Sequence, residues 1–117
     1  MTTLLEKISD LNDLLMQGKG LKAFEKYYHE DVVMQENNEL PTVGKSENRI
    51  RERRFYSALT EVRTIRPLKV SMGEGISMVE WHFDYDHKYW GTVNYTQVAV
   101  QEWKDGLIFR EKFYYRA

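Results

Sequence analysis

The chain has 117 residues and a formal net charge of −1, and it contains 3 Trp, 8 Tyr and 5 Phe but no cysteine. This length fits one domain, expected to span residues 1–117, and the aromatic content excludes a disordered tail. The balanced charge argues against a nucleic-acid-binding protein, which usually carries a basic excess. Without cysteine the chain has no disulfide scaffold, no thiolate nucleophile and no Cys-based zinc site.

No apolar run approaches the roughly 20 residues that cross a bilayer, and the N-terminal segment lacks the basic start of a signal peptide. We therefore expect a cytoplasmic protein with no membrane partner and no nucleic-acid partner. The sequence also lacks a Gly-rich phosphate loop and a serine nucleophile elbow, and it implies no cofactor.

The first half of the chain has helical patterns. Apolar residues recur at helical spacing over residues 4–15, and Thr3 with Glu6 has the spacing of a capping box. A second helix is predicted over residues 21–29, and residues 32–35 read as a short strand. A third helix is predicted over residues 46–59. The side chains expected on its buried side are Ile50, Phe55, Ala58 and Leu59.

The second half of the chain alternates with period two, which is typical of strands. Four strands are predicted, over residues 61–72, 76–86, 92–103 and 107–115. Pro67 indicates that the first of these is an edge strand or carries a bulge. Three helices must then cover one face of a curved, mostly antiparallel sheet, which gives an α+β cone. The mouth of such a cone is a natural ligand pocket.

Several segments resemble a known family. The run Tyr-Tyr-His-Glu-Asp-Val-Val-Met at 27–34, the loop ending at Gly44, the helix over 50–56 and the segment 103–111 are similar to the NTF2-like superfamily. The similarity is to its SnoaL-like branch, which includes polyketide cyclases, and to the related ketosteroid isomerases. It implies an NTF2-like cone and a small-molecule pocket, whereas it does not fix an activity.

The resemblance also implies positions for functional residues. In the isomerases the general base is an Asp at the end of the first strand, and Glu36 falls on that position. The position of their oxyanion-donating Tyr is close to Leu11 here, and that of their second acid is Ala99. The base position therefore keeps a carboxylate while both oxyanion donors are lost, which counts against steroid isomerase activity.

The same matching predicts the inward side of each long strand. The expected inward residues are Trp81, Phe83, Tyr85, Gln97, Ala99, Gln101, Trp103, Phe109, Glu111, Phe113 and Tyr115. The pocket is thus predicted to be aromatic, with Glu36, Gln101 and Glu111 as its polar groups. The residues expected to contact a ligand are Tyr27, Tyr56, Trp81, Phe83, Tyr85, Gln101, Trp103 and Phe113.

The outward face of the sheet carries Val98 and Val100. Exposed apolar sheet surface usually marks an interface, and members of the superfamily are commonly dimeric. We therefore expect a homodimer that packs through this face.

Some polar residues have competing interpretations. Glu36 is either a buried base or a solvated loop residue, and Glu111 is either a second pocket acid or a salt-bridge partner of Arg54. His82, Asp84 and Asp86, followed by His87, resemble metal ligands. However, same-face residues of a strand stand roughly 6.6–7 Å apart, so we predict no metal site.

The arginines of the third helix, diluted by Glu47 and Glu52, are expected to form a solvated, salt-bridged helix face.

Two functions remain open at this point. The first is a cofactor-free reaction on a small, apolar carbonyl compound, in which Glu36 or Glu111 removes a proton and Gln101 or a tyrosine hydroxyl holds the enolate oxygen. The alternative is a non-catalytic module that binds a small ligand or another protein. The surviving carboxylates favour the first function, and the lost oxyanion donors favour the second.

Overall fold

The computed structural model describes residues 2–116, which form three helices and six strands. The elements are α1 (Leu4–Met16), α2 (Gly20–Tyr27), β1 (Tyr28–Glu36), β2 (Thr42–Val43), α3 (Lys45–Ser57), β3 (Leu59–Gly73), β4 (Ile76–His87), β5 (Gly91–Lys104) and β6 (Leu107–Tyr114). The strands make one sheet in the order β2-β1-β6-β5-β4-β3. Only β1 and β6 pair in parallel, which confirms the predicted mostly antiparallel α+β fold. Within residues 2–116, every helix is too short or too polar to cross a membrane.

The first helix forms as its sequence predicts. The Thr3 side chain accepts a hydrogen bond from the Glu6 backbone N–H at 3.1 Å, which satisfies one of the free donors at the helix start. Ile8 and Leu11 are buried against the sheet side of the helix. The helices thus supply one wall of the core and the concave face of the sheet supplies the other.

The second helix ends earlier than predicted. Tyr28 has φ −104° and ψ 133°, so it already has extended geometry and begins β1. The parallel ladder with β6 starts at this residue, where Tyr28 pairs with Ile108. Sheet pairing therefore overrides the helical spacing of Tyr28 and His29, and the prediction of a helix over 21–29 is wrong at its end.

The buried side of α3 is more polar than predicted. Ile50, expected inside, is 50% exposed, whereas Asn48 is fully buried. The Asn48 side-chain amide donates to the carbonyl oxygens of Val32, Thr42 and Gly44 at 3.3, 3.0 and 2.8 Å. These bonds tie the helix to the β1–β2 turn, so hydrogen bonding rather than apolar burial fixes this end of α3.

The long strands match the predicted boundaries to within a few residues. β3 lies at the sheet edge, and its pairing with β4 shifts register between Pro67 and Lys69, which confirms the prediction from the proline. The pairing of β5 with β6 also shifts register, between Glu102 and Trp103, which changes the side of the sheet that the first residues of β6 face. Ile108 is therefore fully buried opposite Trp103, and the expectation that Phe109 faces inward there is wrong.

We expect Gly20→Ala to destabilise the protein. Gly20 begins α2, and a methyl group on its Cα would overlap the hydroxyl and ring of Tyr56. The resulting overpacking is expected to lower the free energy of unfolding by about 1–3 kcal/mol, although alanine is the better helix former. Urea denaturation measures the change.

Gly73→Ala is the matched control, because no atom lies within 4 Å of the added methyl group. It should leave the free energy of unfolding within about 0.5 kcal/mol of the starting protein. Equal stability of the two variants would contradict the close approach of Tyr56 to α2.

Candidate functional site

A cavity of about 600 Å³ lies between the concave face of the sheet and the three helices. Its lining includes residues of α1, α2 and α3 on one side and the inward residues of β4, β5 and β6 on the other. The aromatic side chains on its wall include Phe24, Phe55, Trp81, Phe83, Tyr85, Tyr95, Phe113 and Tyr115. A mostly apolar cavity with a few convergent polar groups is the usual form of a small-molecule site.

Glu111 is the most deeply buried acid on this wall. It sits on β6 between Met34 of β1 and Gln101 of β5, and it is 2% exposed. The Tyr28 hydroxyl donates to one carboxylate oxygen, and the Gln101 amide donates to the other at 2.8 Å. Burial raises the pKa of Glu111 to about 7, although both donors act in the opposite direction.

The hydrogen bonds of Gln101 continue away from the cavity. The Ser77 hydroxyl donates to the Gln101 carbonyl oxygen at 2.6 Å, and the Trp103 indole N–H donates to the Ser77 oxygen at 2.9 Å. Ser77 and Gln101 are both buried. We call Trp103, Ser77, Gln101 and Glu111 the carboxylate chain. It fixes the side chain of Glu111 from behind the cavity wall.

Glu52 is a second acid on the cavity wall, although its position among the arginines of α3 predicts a solvated helix face. That expectation is wrong, because α3 turns Glu52 towards the cavity beside Tyr56. Burial raises the pKa of Glu52 to about 7, and no hydrogen bond from residues 2–116 offsets it. Asn48, Glu52 and Tyr56 recur every four residues, so helical spacing from a buried asparagine is the signal that finds this face.

Tyr56 interacts electrostatically with both Glu52 and Glu111. Burial raises its pKa, and the charges of Glu52 and Glu111 raise it further. Its hydroxyl therefore stays protonated and available as a donor at neutral pH.

Glu36, the expected base, also lies on the cavity wall but has an ion-pair partner. Arg51 of α3 donates to one of its carboxylate oxygens at 3.1 Å. Burial raises the pKa of Glu36, while the Arg51 charge opposes the shift. Arg51 thus compensates Glu36, and the described residues provide no such ion pair for Glu52 or Glu111.

Aromatic rings surround His87 at one part of the lining. Its imidazole stacks on Trp90 with centroids 3.8 Å apart and planes 9° apart, and the Phe55 ring centroid lies 5.8 Å from that of His87. The Tyr89 backbone N–H donates to His87 Nδ1 at 3.2 Å, and burial lowers the pKa of His87. The neutral ring therefore carries its proton on Nε2, which has no partner among residues 2–116.

Strand alternation places His87 inside with Trp81, Phe83 and Tyr85, so it does not share a face with His82, Asp84 and Asp86. Tyr95 was not singled out. Its hydroxyl lies 3.1 Å from that of Tyr85, and it follows the alternation of β5 inward. The inward alternation of β4, extended by two residues beyond Tyr85, reaches His87, and that of β5, extended by two residues before Gln97, reaches Tyr95.

The other residues expected to contact a ligand divide into two groups. Tyr56, Trp81, Phe83, Tyr85, Gln101 and Phe113 lie on the cavity wall. Tyr27 and Trp103 pack elsewhere: the Tyr27 hydroxyl donates to Asp10, and its ring meets Trp103 edge-on at 6.2 Å. The Trp103 indole is engaged by Ser77.

The outward acids of β4 bind an arginine. Arg63 of β3 donates to Asp84 at 3.0 Å and to Asp86 at 2.8 Å, while His82 lies 2.8 Å from the Asn94 side chain. Residues 2–116 hold no group of three His, Cys, Asp or Glu side chains arranged for a metal ion. Glu111, for its part, is bound by Tyr28 and Gln101, not by Arg54.

No family model matches the sequence, and no curated protein matches it. Solved structures do match the fold. A protein from Mesorhizobium loti, described both as a SnoaL-like polyketide cyclase and as a carbohydrate phosphatase, is 27% identical with a TM-score of 0.86, over 97% of this chain and 100% of that one. An NTF2-like protein from Burkholderia pseudomallei is 11% identical with a TM-score of 0.82, over 99% of this chain and 92% of that one.

A protein from Catenulispora acidiphila with a ketosteroid isomerase-like fold, solved in complex with trimethylamine, is 13% identical with a TM-score of 0.76. The match covers 97% of this chain and 87% of that one. The fold and the similarity to the M. loti protein agree with the sequence resemblance. The chain has the NTF2-like fold, and its resemblance is to the SnoaL-like branch of that superfamily.

Proposed function

We propose that the chain is a cofactor-free enzyme that isomerises or cyclises a small, largely apolar carbonyl compound by proton transfer. The observation that carries this proposal is the pair Glu52 and Glu111. Both line one aromatic cavity, and burial raises the pKa of each to about 7. Acids that titrate near the working pH exchange protons most effectively.

The surroundings of the two acids assign their roles. Glu111 receives two hydrogen bonds, which favour its ionised form, whereas Glu52 receives none from the described residues and keeps its proton more readily. Glu111 is therefore the base and Glu52 the acid. Each oxygen of the Glu111 carboxylate keeps a second lone pair free to accept a proton.

The chemistry then follows from these roles. The Glu111 carboxylate takes a proton from a carbon beside the carbonyl group, and the C–H electron pair passes into the new C–C double bond. The carbonyl oxygen takes up the displaced π electrons and becomes an enolate oxygen, which Glu52 and the Tyr56 hydroxyl stabilise as donors. Where the compound carries a C–C double bond β,γ to the carbonyl group, the enolate is a dienolate, and return of the proton from Glu111 to its γ carbon moves that double bond and completes an isomerisation. Attack of the enolate carbon on a second carbonyl group instead closes a ring, and the alkoxide oxygen that forms takes the proton from Glu111.

These assignments move two roles from their sequence-based positions. Glu36 was one of two candidates for the base, but its ion pair with Arg51 makes it the less suitable of the two. Gln101 was a candidate to hold the enolate oxygen, but its carbonyl oxygen and one amide hydrogen are already engaged by Ser77 and Glu111.

The comparisons support both the proposal and its alternative. The similar M. loti protein is described as a polyketide cyclase, and cyclisation is one of the two outcomes above. The C. acidiphila structure contains trimethylamine, so a similar fold holds a small organic molecule in that protein. The alternative is therefore a cavity that binds a small molecule without transforming it.

Proton exchange on simple ketones separates the two functions. In D₂O, the protein is expected to exchange the protons beside the carbonyl group of 2-tetralone, followed by loss of their ¹H NMR signals. Glu111→Gln removes the base and should slow this exchange by about 10²- to 10⁴-fold. If the ketone binds but the rate equals that of buffer, the catalytic role fails and the binding function stands.

The pH dependence of the same exchange tests the role of Glu52. Below about pH 7 Glu111 takes up a proton and ceases to be a base, and above about pH 7 Glu52 loses the proton that it donates. A bell-shaped profile is expected. Glu52→Gln keeps a donor that does not titrate, so it should flatten the alkaline limb. The acid limb should remain but move to lower pH, because the charge of Glu52 no longer raises the pKa of Glu111.

Glu47→Gln, at an exposed position of the first turn of α3, is the matched control and should reproduce the full bell. An alkaline limb that persists unchanged in Glu52→Gln would show that another group supplies the donated proton.

We also propose that two copies pack through the outer face of the sheet. Val98 and Val100 are half-buried on this face, where Val98 pairs with Glu80 and Tyr114, and Val100 pairs with Met78 and Lys112. Met78 and Tyr114 are exposed large side chains. Charges of both signs around an apolar centre suit a two-fold contact with an identical surface.

Val98→Asp with Val100→Asp is expected to convert the dimer into monomers, measured as a halved mass in light scattering after gel filtration. Val70→Asp is the control, because Val70 is exposed on β3 but pairs with Val79 on the other face. A mass that both variants share with the starting protein would place the interface elsewhere.

A further inference from the structure

We propose that Trp103 and Ser77 are positioning residues that hold Glu111 in its ionised form, because they fix the direction of every hydrogen bond in the carboxylate chain. This inference deepens the proposed function, in which ionised Glu111 is the base. The measurement below observes Glu111 itself and requires no substrate, so the two proposals fail separately.

The direction of the chain is set at its far end. An indole Nε1–H is only a donor, so the Ser77 oxygen, 2.9 Å away, must accept from Trp103. The single hydroxyl hydrogen of Ser77 then points to Gln101 at 2.6 Å, where a side-chain carbonyl oxygen accepts it. The amide nitrogen of Gln101 is thereby turned towards Glu111, 2.8 Å away.

The reversed amide is the alternative arrangement. Gln101 would then present its carbonyl oxygen to Glu111, and two acceptors meet only when Glu111 is protonated. Its amide nitrogen would donate to the Ser77 oxygen, which already accepts from Trp103, and the Ser77 hydrogen would have no acceptor in the chain. Ser77 is fully buried, so this unsatisfied donor makes the reversed amide unfavourable.

The indole N–H of Trp103 is the group that disfavours the reversed amide. It donates to the Ser77 oxygen and cannot accept, so Gln101 provides the acceptor for the Ser77 hydrogen in the chain. A ring without the N–H leaves space for water, which accepts from Ser77 and makes the reversed amide accessible. The carboxylate chain then no longer favours a charge on Glu111.

The charged and titratable groups around Glu111 are separate from this chain. Tyr28 faces it from β1, and Arg51, Glu52 and Tyr56 face it from α3. None of them contacts Trp103 or Ser77 through a hydrogen bond of the chain. Substitutions at Trp103 and Ser77 therefore change the donor at Gln101 and leave these neighbours in place.

The experiment is an NMR titration of the glutamate side-chain carboxyl carbons in ¹³C-labelled protein. Glu111→Gln identifies the Glu111 signal by its loss. In Trp103→Phe and in Ser77→Ala, the midpoint of Glu111 is expected to rise by about one pKa unit, which is a tenfold tighter binding of the proton. The sign is upward because both variants remove support for the ionised form.

Tyr27→Phe is the matched control. The Tyr27 ring packs edge-on against Trp103, but its hydroxyl donates to Asp10, outside the chain. It should leave the Glu111 midpoint unchanged, which separates loss of the N–H from a change in packing around Trp103.

A Glu111 midpoint that is unchanged or lowered in Ser77→Ala, with the amide spectrum of the folded protein preserved, would overturn the inference. If Trp103→Phe does not fold, Ser77→Ala alone decides, since it removes one oxygen atom from the chain. A raised midpoint together with absent ketone exchange in the starting protein would support this inference and count against the proposed enzyme.

Discussion

The structure depends on how a carboxyl group is accommodated inside the protein. An acid that is 2% exposed is costly to bury unless its oxygens are hydrogen-bonded. Glu111 obtains one donor, Tyr28, from the strand on one side of β6 and the other, Gln101, from the strand on the opposite side. The three adjacent strands β1, β6 and β5 are thus the smallest unit that satisfies it.

This requirement explains features that lie well away from the acid. Tyr28 begins β1 with extended geometry, which brings its hydroxyl to Glu111 on β6, and the Gly20 backbone leaves room for Tyr56 at the opposite wall. The helices approach the sheet closely at Leu11 and Phe24 but leave the aromatic cavity open beyond them. The burial that makes Glu111 difficult to accommodate is also what moves its titration to neutral pH.

Much of the fold was predictable because it follows from local patterns. The long strands show period two, the edge strand carries a proline, and the first helix has a capping residue. The inward face of α3 was not predictable in this way, because it carries the polar residues Asn48 and Glu52 and an apolar pattern does not reveal it. The side of the sheet on which Phe109 lies depends on the register shift between β5 and β6, which no local sequence pattern encodes. The cavity acids were found only in part for the same reason: Glu111 follows strand alternation, whereas Glu52 lies on that polar helix face.

The parallel pairing of β1 with β6 also determines when the site comes into existence. Tyr28 and Glu111 are 83 residues apart in sequence, and β6 is the last of the six strands in residues 2–116 although it is central in the sheet. During synthesis, the helices and the β3–β4–β5 meander are complete before the strand that joins them emerges. Contacts of such long range form slowly. The cavity is therefore assembled in a late step, and a chain that stops before β6 lacks both the centre of its sheet and its buried acid.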